Sequence, residues 1–181
     1  MKRYEIRLSG SGGQGVILAS IILADAVIEQ GLNAIQTQSY GPEARGGASK
    51  AEVIISNEQI NYPKIRKANI LLSLTQKAYD KYVASLDKDG VLIVDEDIKL
   101  SGNEPIKVYR LPILKNALDK FETNMVANII SIGAIYEIIG EDMIDKDIMI
   151  RSISGRVPPP TVQKNIEAFE EGIKLVRGYY E

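Results

Sequence analysis

The sequence predicts an α/β fold, in which a mostly parallel sheet carries helices on both faces. Two observations indicate it. Short apolar segments alternate with longer segments of helical length, and a run of glycines at 10–15 joins the first pair. Strands that alternate with helices favour parallel pairing, because each crossover helix brings the chain back to the end of the sheet where the previous strand began. With 181 residues, 45% of them hydrophobic, the chain can bury a core, and we expect one domain over residues 1–181.

The first half of the chain is predicted element by element. Residues 4–9 alternate as a strand, and residues 16–29 form a helix that is apolar on nearly every side. Such a helix should be sandwiched between the sheet and other elements. Gly31 ends it, and a strand at 32–38 completes the start of a βαβ unit. Further strands are expected at 49–56 and 68–74, after a loop at 39–47 that is rich in Gly and Pro.

The second half continues the alternation. We expect a helix at 76–86, a turn at 87–90, strands at 91–94 and 106–111, and helices at 124–139 and 145–154. Three consecutive prolines, at 158–160, cannot be helical throughout and predict an extended spacer. A last helix is expected at 161–177, so the C-terminal helical segment spans about 158–181.

The chain contains no cysteine and no histidine, and this excludes several chemistries. Without thiolates or imidazoles it provides no Cys/His zinc site, no Cys-ligated iron–sulfur cluster, no Cys nucleophile and no Ser-His-Asp triad. Acid–base chemistry would have to come from carboxylate, Lys or Tyr side chains, or from another chain. We assign no catalytic residue and no metal ligand, and the missing disulfides fit a reducing compartment.

Charge and hydropathy indicate a cytoplasmic protein with no nucleic-acid or membrane partner. Lys and Arg number 22 against 24 Asp and Glu, so no excess of positive charge attracts polyanions. The first eight residues alternate charged and apolar side chains, unlike a signal peptide. The most apolar stretch, at 16–28, is interrupted by Ser20 and Asp25 and falls short of the ~20 residues that a bilayer requires.

The glycine run contains the spacing G-x-G-x-x-G, at Gly10, Gly12 and Gly15, between a predicted strand and a predicted helix. In that context the pattern is typical of Rossmann-like folds: glycine permits the tight turn and lets a phosphate approach the amides at the positive helix end. The alternative is that these glycines serve only the turn and the contact of helix with strand. The functional interpretation is a phosphate or pyrophosphate pocket.

A nicotinamide site would add an acidic residue ~20 positions after the glycines, to bind the ribose hydroxyls. The predicted second strand ends in Gln36-Thr37-Gln38 instead, and the nearest acids are Glu29 and Glu43. A plain NAD dehydrogenase is therefore disfavoured, and a different phosphorylated ligand fits better.

The loop at 39–47 is a second candidate site, because it leaves the carboxyl edge of the sheet beside the glycine turn. Arg45, followed by Gly46 and Gly47, suits a bidentate contact with phosphate or carboxylate, and Tyr40 could stack on a ligand or donate a hydrogen bond. A solvated ion pair of Arg45 with a neighbour is the alternative. Lys50 is expected to be solvated, and Asp95 is expected to cap the turn after its strand.

Both motifs together resemble the gamma subunit of 2-oxoacid:ferredoxin oxidoreductases. The likeness rests on GSGGQG at 10–15 and QSYGPEARGGASK at 38–50, and it extends to Asn128 and Gly133 in the long helix and to NIEAFEEG at 165–172. The resemblance thus covers nearly the whole chain. The segment Ser-Tyr-Gly-Pro-Glu, at 39–43, is more similar to the 2-oxoglutarate or general 2-oxoacid type of this family than to the pyruvate or indolepyruvate types.

The resemblance implies a subunit of a complex that decarboxylates a 2-oxoacid, transfers the acyl group to coenzyme A and passes electrons to ferredoxin. It implies alpha and beta partner subunits that carry thiamine diphosphate, Mg and iron–sulfur clusters, and it leaves a ferredoxin-like delta subunit open. This chain would hold no cofactor alone. It would position coenzyme A and its partners through Gly10, Gly12, Gly13, Gln14 and Gly15 as a backbone cradle. The loop with Tyr40, Arg45, Gly46 and Gly47 would face ligand or partner.

Two other functions remain compatible with the residues. A stand-alone regulatory module could bind a phosphometabolite or nucleotide through the same glycine loop. An independent flavin- or nicotinamide-dependent reductase is a further alternative, which the missing ribose acid disfavours.

Overall fold

The computed structural model describes residues 3–39, 47–102, 104 and 107–179. Six strands and six α-helices lie in this part of the chain, but they alternate only in part, because three strands follow one another after the first helix and the last four α-helices are consecutive. The strands are β1 (Arg3–Ser11), β2 (Asn33–Ser39), β3 (Ala48–Ser56), β4 (Ala68–Ser73), β5 (Leu86–Asp95) and β6 (Lys107–Leu111). The helices are α1 (Val16–Glu29), α2 (Gln76–Tyr82), α3 (Ile113–Phe121), α4 (Ala127–Ile139), α5 (Lys146–Arg156) and α6 (Val162–Arg177).

The strands form one sheet in the order β2-β3-β1-β4-β5-β6. Strand β3 runs antiparallel to both of its neighbours, while β1, β4, β5 and β6 pair in parallel. Strands β1 and β2 therefore point the same way, as a βαβ unit requires, but β3 lies between them. The prediction of a mostly parallel sheet is confirmed. The insertion of β3 was not predicted, because strand order depends on contacts between distant segments.

Helices cover both faces of the sheet unequally. On one face α1, α3, α4, α5 and α6 enclose the main core, into which alternate strand residues such as Ile6, Leu72 and Ile93 point. On the other face α2 covers a smaller cluster that includes Leu71, Tyr79 and Leu92. Helix α1 lies between the sheet and helices α4 and α5, which explains why it is apolar on nearly every side. The expected helices on both faces are confirmed.

Helices α4 and α6 make the closest helix–helix contact of the described residues, through two glycines. A Cβ atom on Gly133 would lie 2.1 Å from the carbonyl oxygen of Phe169, and one on Gly172 would lie 2.0 Å from that of Ile130. Only glycine permits backbones to approach this closely. The contact aligns the two helices, which start on the same side of the core.

Three local predictions were wrong. The expected turn at 87–90 belongs to strand β5, where it forms an irregularity opposite Asn69, because the strand resumes its pairing with β4 only at Val91. Helix α3 was not predicted; its apolar face is narrow, with Ile113, Ala117 and Phe121 buried. The proline spacer is compact rather than extended, because residues Pro159–Thr161 form a 3₁₀ turn that leads directly into α6.

None of the helices in the described part of the chain is long and apolar enough to cross a bilayer.

Candidate ligand site at the carboxyl edge of the sheet

The glycine loop connects the end of β1 to the start of α1, as predicted. Gly13 (φ 89°) and Gly15 (φ 70°) adopt left-handed conformations that side chains other than glycine rarely tolerate. Gly10 instead lies within β1, where it pairs with Ser49. Of the three glycines in the G-x-G-x-x-G spacing, only Gly15 therefore has a positive φ. The second positive φ in the loop belongs to Gly13, which is not one of those three.

Gln14 braces this loop from within. Its side-chain oxygen Oε1 accepts a hydrogen bond from the backbone amide of Ser11 at 2.7 Å. The backbone amide of Gln14 donates to the carbonyl oxygen of Ser11 at 3.3 Å. A Cβ atom on Gly10 would lie 2.4 Å from the same Oε1 atom. Glycine at position 10 thus makes room for the Gln14 side chain, which holds the loop in shape.

The outer side of the loop is open to a ligand. Gly12 and Gly13 are exposed, and a Cβ atom on either would meet no atom within 4 Å. In the part of the chain that the structure describes, nothing accepts a hydrogen bond from their amides. Helix α1 begins immediately after Gly15, and no side chain caps it. Free amides at a helix N-terminus favour an anion, so this geometry suits a phosphate group.

The described end of the second predicted loop lies beside the glycine loop. Ala48 and Ser49, at the start of β3, pair with Ser11 and Gly10, so the half-buried Gly47 lies next to the turn. The other candidate residues of this loop, Tyr40, Arg45 and Gly46, lie outside the described residues. Their contact with a ligand stays a prediction.

Two residues to which the sequence gave lesser roles lie near this edge. We expected Lys50 to be solvated, but its Nζ atom pairs with Glu52 Oε1 at 3.0 Å. Asp95 is buried and accepts hydrogen bonds from the amides of Asp97 at 3.3 Å and Leu114 at 2.9 Å. It caps the turn after β5, as predicted, and also the first turn of α3. Burial raises the pKa of its carboxyl group.

Asn128, near the start of α4, is a site residue that reasoning from the residues did not single out. Its Nδ2 atom donates to the carbonyl oxygen of Gly15 at 3.4 Å, and a Cβ atom on Gly15 would lie 2.6 Å from it. The residue is 4% exposed, and its Oδ1 atom is buried with no hydrogen-bond partner among the described residues. Buried polar atoms are almost always paired, so this oxygen calls for an explanation. Two sequence signals pointed to it: an amide side chain within an Ile-rich helix, and the place of Asn128 among the residues that carry the family resemblance.

A cavity of about 330 Å³ opens next to Asn128. Among the described residues, its lining contains two cations, Arg156 and Lys164, and no carboxylate. Helices α4 and α6 both begin at this cavity, so their positive ends face it. Most of the remaining wall is apolar and comes from Leu18, Met125, Val126, Ile129, Val157 and Pro158.

A larger cavity of about 530 Å³ lies at the opposite, amino edge of the sheet. Arg3, Glu137 and Arg177 line it, and each is already in an ion pair: Arg177 Nε lies 3.0 Å from Glu137 Oε1, and Arg3 pairs with Glu5. It is remote from the glycine loop. Among the described residues no cluster of three Asp, Glu, Cys or His side chains could hold a metal ion.

The fold and this edge define a Rossmann-like α/β protein with an exposed glycine loop at a helix start and no metal-binding cluster in its described residues. Residues 5–175 match the sequence profile of the pyruvate ferredoxin/flavodoxin oxidoreductase family, and the chain belongs to this family. The resemblance seen in the sequence is thereby confirmed. The chain is accordingly of the kind that serves as a subunit of 2-oxoacid:ferredoxin oxidoreductases.

Full-length relatives agree with this assignment. The chain is 44% identical to the 2-oxoglutarate synthase subunit KorC of Methanocaldococcus jannaschii, over 97% of this chain and 95% of the relative. It is 43% identical to KorC of Methanothermobacter marburgensis, over 96% of this chain and 97% of the relative.

Solved structures share the fold. The gamma subunit of a keto/oxoacid ferredoxin oxidoreductase from Geobacter sulfurreducens PCA is 43% identical, with a TM-score of 0.83, over 97% of this chain and 99% of that one. A 2-oxoglutarate:ferredoxin oxidoreductase from Magnetococcus marinus has the same fold at 22% identity, with a TM-score of 0.87. There the match covers 98% of this chain but 32% of the longer one.

Proposed function

We propose that this chain is the gamma subunit of a cytoplasmic 2-oxoglutarate:ferredoxin oxidoreductase. The complex would convert 2-oxoglutarate, coenzyme A and two oxidised ferredoxins into succinyl-CoA, CO₂, a proton and two reduced ferredoxins. The near full-length identity of 43–44% to KorC subunits of 2-oxoglutarate synthase supports the choice of substrate. The solved structure of the 2-oxoglutarate:ferredoxin oxidoreductase from M. marinus, which has 2-oxoglutarate, coenzyme A and succinyl-CoA bound, supports the same chemistry.

Within the complex, the role of this chain is to hold coenzyme A and to position partner subunits. The observation that carries this role is the exposed pair of unpaired amides at Gly12 and Gly13, at the start of α1. A diphosphate is doubly anionic and fits such amides, which bind without a charged side chain. Arg45, Gly46 and Gly47 would approach the same group from the second loop, and Tyr40 would stack on the ligand or face a partner.

The redox cofactors belong to other chains. Iron–sulfur clusters require cysteine thiolates, and this chain has none. The clusters are therefore assigned to partner subunits, alpha and beta, and a delta subunit where the complex has one. The resemblance to the family assigns thiamine diphosphate and Mg to partner subunits as well. When bound there, these groups carry out the decarboxylation and the electron transfer. The residues of this chain contribute binding and orientation only.

The function is tested by isolating the complex through a tagged copy of this chain and assaying it. We expect partner subunits to co-elute and ferredoxin reduction to require both coenzyme A and a 2-oxoacid, with 2-oxoglutarate preferred over pyruvate and 2-oxoisovalerate. A chain that elutes alone, and reconstitutes no such activity, would support a stand-alone phosphometabolite-binding module instead. Preference for another 2-oxoacid would overturn the substrate but keep the family.

The role of the glycine loop is tested by Gly12→Asp. Because a Cβ atom at Gly12 meets nothing within 4 Å, the fold tolerates the side chain, while its charge repels a phosphate. We expect the KM for coenzyme A to rise at least tenfold, with kcat and the KM for the 2-oxoacid little changed. Gly12→Asn, which has the same shape and no charge, is the matched control. Equal KM values for the two variants would show that no anion binds there.

A further inference from the structure

Strand β2 ends the sheet on one side, and its outer edge has no partner strand among the described residues. It occupies one end of the strand order and pairs with β3 in an unbroken register from Asn33 to Ser39. No other described segment forms a backbone hydrogen bond with it. A free strand edge presents a row of unpaired amides and carbonyls, which is a template for pairing with another strand.

The sequence of β2 does nothing to prevent such pairing. Edge strands of monomeric proteins are usually short, charged, bulged or interrupted by proline. The seven residues of β2 include no charged side chain and no proline, and their register with β3 shows no bulge. The opposite edge differs, because β6 has five residues, and two of them are the exposed cations Lys107 and Arg110. One edge of the sheet is therefore protected, and the other is suited to pairing.

Helix α1 carries an apolar stripe beside the free edge. Ile17, Ile21 and Ile28 are spaced by four and seven residues, which places them on one side of the helix. Ile28 is 59% exposed, and Ile17 and Ile21 are half-buried. The fold of the single chain thus leaves uncovered part of a helix that is otherwise packed on all sides. Contiguous apolar surface of this kind marks an interaction site.

The polar contacts of α1 show where this stripe lies. Ser20 Oγ accepts a hydrogen bond from Gln36 Nε2 of β2 at 2.9 Å, so one side of the helix faces the strand. Asp25 and Glu29 form ion pairs with arginines of α5, so another side faces that helix. At about 100° per residue, the isoleucines fall between these two sides, away from the core. The stripe therefore lies on the outer side of α1, next to the free edge of β2.

A second copy of this chain matches the strand. When an edge pairs with its own copy about a two-fold axis, the two strands run antiparallel. With Gln36 on the axis, Ile35 lies opposite Thr37 of the second copy, and these β-branched residues are favourable cross-strand neighbours. Since β2 carries no charge, the pairing brings no like charges together. A charged partner strand would find no counter-charge on β2.

The same two-fold axis brings the helices together. Helix α1 lies over β2 and β3, so pairing of the two β2 edges places both copies of α1 side by side on one face of the joined sheet. The 14 residues of α1 span about 21 Å, and the seven residues of β2 span about 24 Å. Strand and helix therefore pair over the same length, and the isoleucine stripes cover each other.

We propose that this chain forms a two-fold dimer through the edge of β2 and the Ile17, Ile21 and Ile28 stripe of α1. The partner is a second copy of the chain, and the two six-stranded sheets become one continuous sheet. A complex built around this contact holds its gamma subunits in pairs. The inference goes beyond the proposed function and does not depend on it.

Cysteine cross-linking tests the register of the pairing. The chain has no cysteine, so Gln36→Cys introduces a single thiol. On the axis its Cα atom would lie about 4.5–5.5 Å from that of its own copy, within the range that a disulfide spans. We expect mild oxidation to convert most of this variant into a covalent dimer. Gln38→Cys, which would lie opposite Ala34, and Val108→Cys, on the other edge of the sheet, should cross-link at least tenfold more slowly.

Sedimentation equilibrium of the full chain measures the affinity of the dimer. The wild type should have twice the mass of 19.9 kDa at micromolar concentration. Ile28→Lys should raise the dimer Kd at least tenfold, because it places like charges in the apolar contact. Leu118→Lys is the matched control: it changes a leucine of α3 that is 50% exposed, and it should leave the Kd unchanged. Thermal unfolding verifies that each variant is folded.

Three results would overturn the proposal. The first is a monomeric wild type at that concentration, and the second is equal cross-linking rates at positions 36 and 38. The third is a purified complex that holds one copy of this chain and shields the thiol of Gln36→Cys from maleimide, which would assign the surface to another subunit. None of these measurements involves turnover, so a complex that still reduces ferredoxin with 2-oxoglutarate would keep its function while the dimer is rejected.

Discussion

At the scale of single residues, two buried tyrosines differ in how their hydroxyl groups are satisfied. The Tyr79 hydroxyl donates its one proton to the carboxylate of Glu104, lies 3.1 Å from Ser101 Oγ, and accepts from the Ser101 amide at 2.9 Å. The Tyr136 hydroxyl is buried against Phe169 with no hydrogen-bond partner among the described residues. Burial, with nearby carboxylates, raises the pKa of Tyr136 to about 12.

We predict that Tyr136→Phe raises the free energy of unfolding by about 1 kcal/mol, because it removes a buried polar atom that makes no bond. Tyr79→Phe, which removes a bonded hydroxyl, should lower it by about 1 kcal/mol. Urea denaturation of both variants measures the difference. A loss of stability in Tyr136→Phe would mean that its hydroxyl has a partner in solution.

Glu104 predicts a dependence of stability on pH. Burial raises the pKa of its carboxyl group, but hydrogen bonds from Tyr79 and Ser101 outweigh that effect and lower it from 4.5 to about 2. A carboxylate whose pKa is lowered by folding stabilises the protein above its unfolded pKa. The contribution is therefore complete above pH 4.5 and is lost as the pH falls toward 2.

The measurement is the free energy of unfolding between pH 2 and pH 6, in wild type and in Glu104→Gln. The variant should be less stable at pH 6 and should lose less stability on acidification. Glu122→Gln, at an exposed position, serves as the control and should follow the wild-type curve. Parallel curves for Glu104→Gln and wild type would contradict the assignment.

At the scale of elements, the crossing of α4 and α6 depends on Gly133 and Gly172, which lie against each other's helix backbone. We predict that Gly133→Ala and Gly172→Ala each lower the free energy of unfolding by about 3 kcal/mol, because the added methyl group forces the helices apart. Gly155→Ala is the matched control. A Cβ atom there meets nothing within 4 Å, and alanine favours a helix, so stability should rise by about 0.5–1 kcal/mol.

Thermal or urea unfolding compares the three alanine variants. Small losses at Gly133 and Gly172, no larger than at an exposed helix position, would show that α4 and α6 shift apart easily.

At the scale of the whole molecule, one buried ion pair connects segments that are far apart in the chain. Arg7 Nε donates to Glu52 Oε1 at 2.7 Å, and Arg7 Nη2 donates to the carbonyl oxygen of Ile65 at 3.0 Å. Arg7 also contacts the hydroxyl of Ser85, and Lys50 Nζ lies 3.0 Å from Glu52 Oε1. Strands β1 and β3 are thereby joined to the segment after β3 and to the turn before β5.

Removing one member should cost far more than removing both. We predict that Arg7→Met lowers the free energy of unfolding by about 3–5 kcal/mol, because it leaves the buried Glu52 without its main partner. The double variant Arg7→Met/Glu52→Leu should lose less than the sum of the single losses. Arg151→Met, in the exposed pair with Glu29, should cost less than about 1 kcal/mol. Additive losses in this double-mutant cycle would contradict a direct interaction.

Much of the fold could be predicted because its signals are local. Helix α1 lies at residues 16–29 as expected, since an apolar stretch of helical length, a preceding glycine turn and Gly31 are all contained in one short segment. The proline spacer and helix α3 could not be predicted in the same way. A 3₁₀ turn and a nine-residue helix leave weak periodic signals, and contacts with distant residues decide their conformation.

The candidate site was likewise predictable where its signals are local and not where it depends on contacts between distant residues. The sequence by itself determined the glycine turn, the neighbouring second loop and the absence of thiolate and imidazole chemistry, because these follow from residue types and short spacings. Only the tertiary structure brought Asn128 onto Gly15, 113 positions away, and enclosed the cavity between α1, α4 and the start of α6. Such contacts depend on how the helices pack across the sheet, and no local pattern encodes that arrangement.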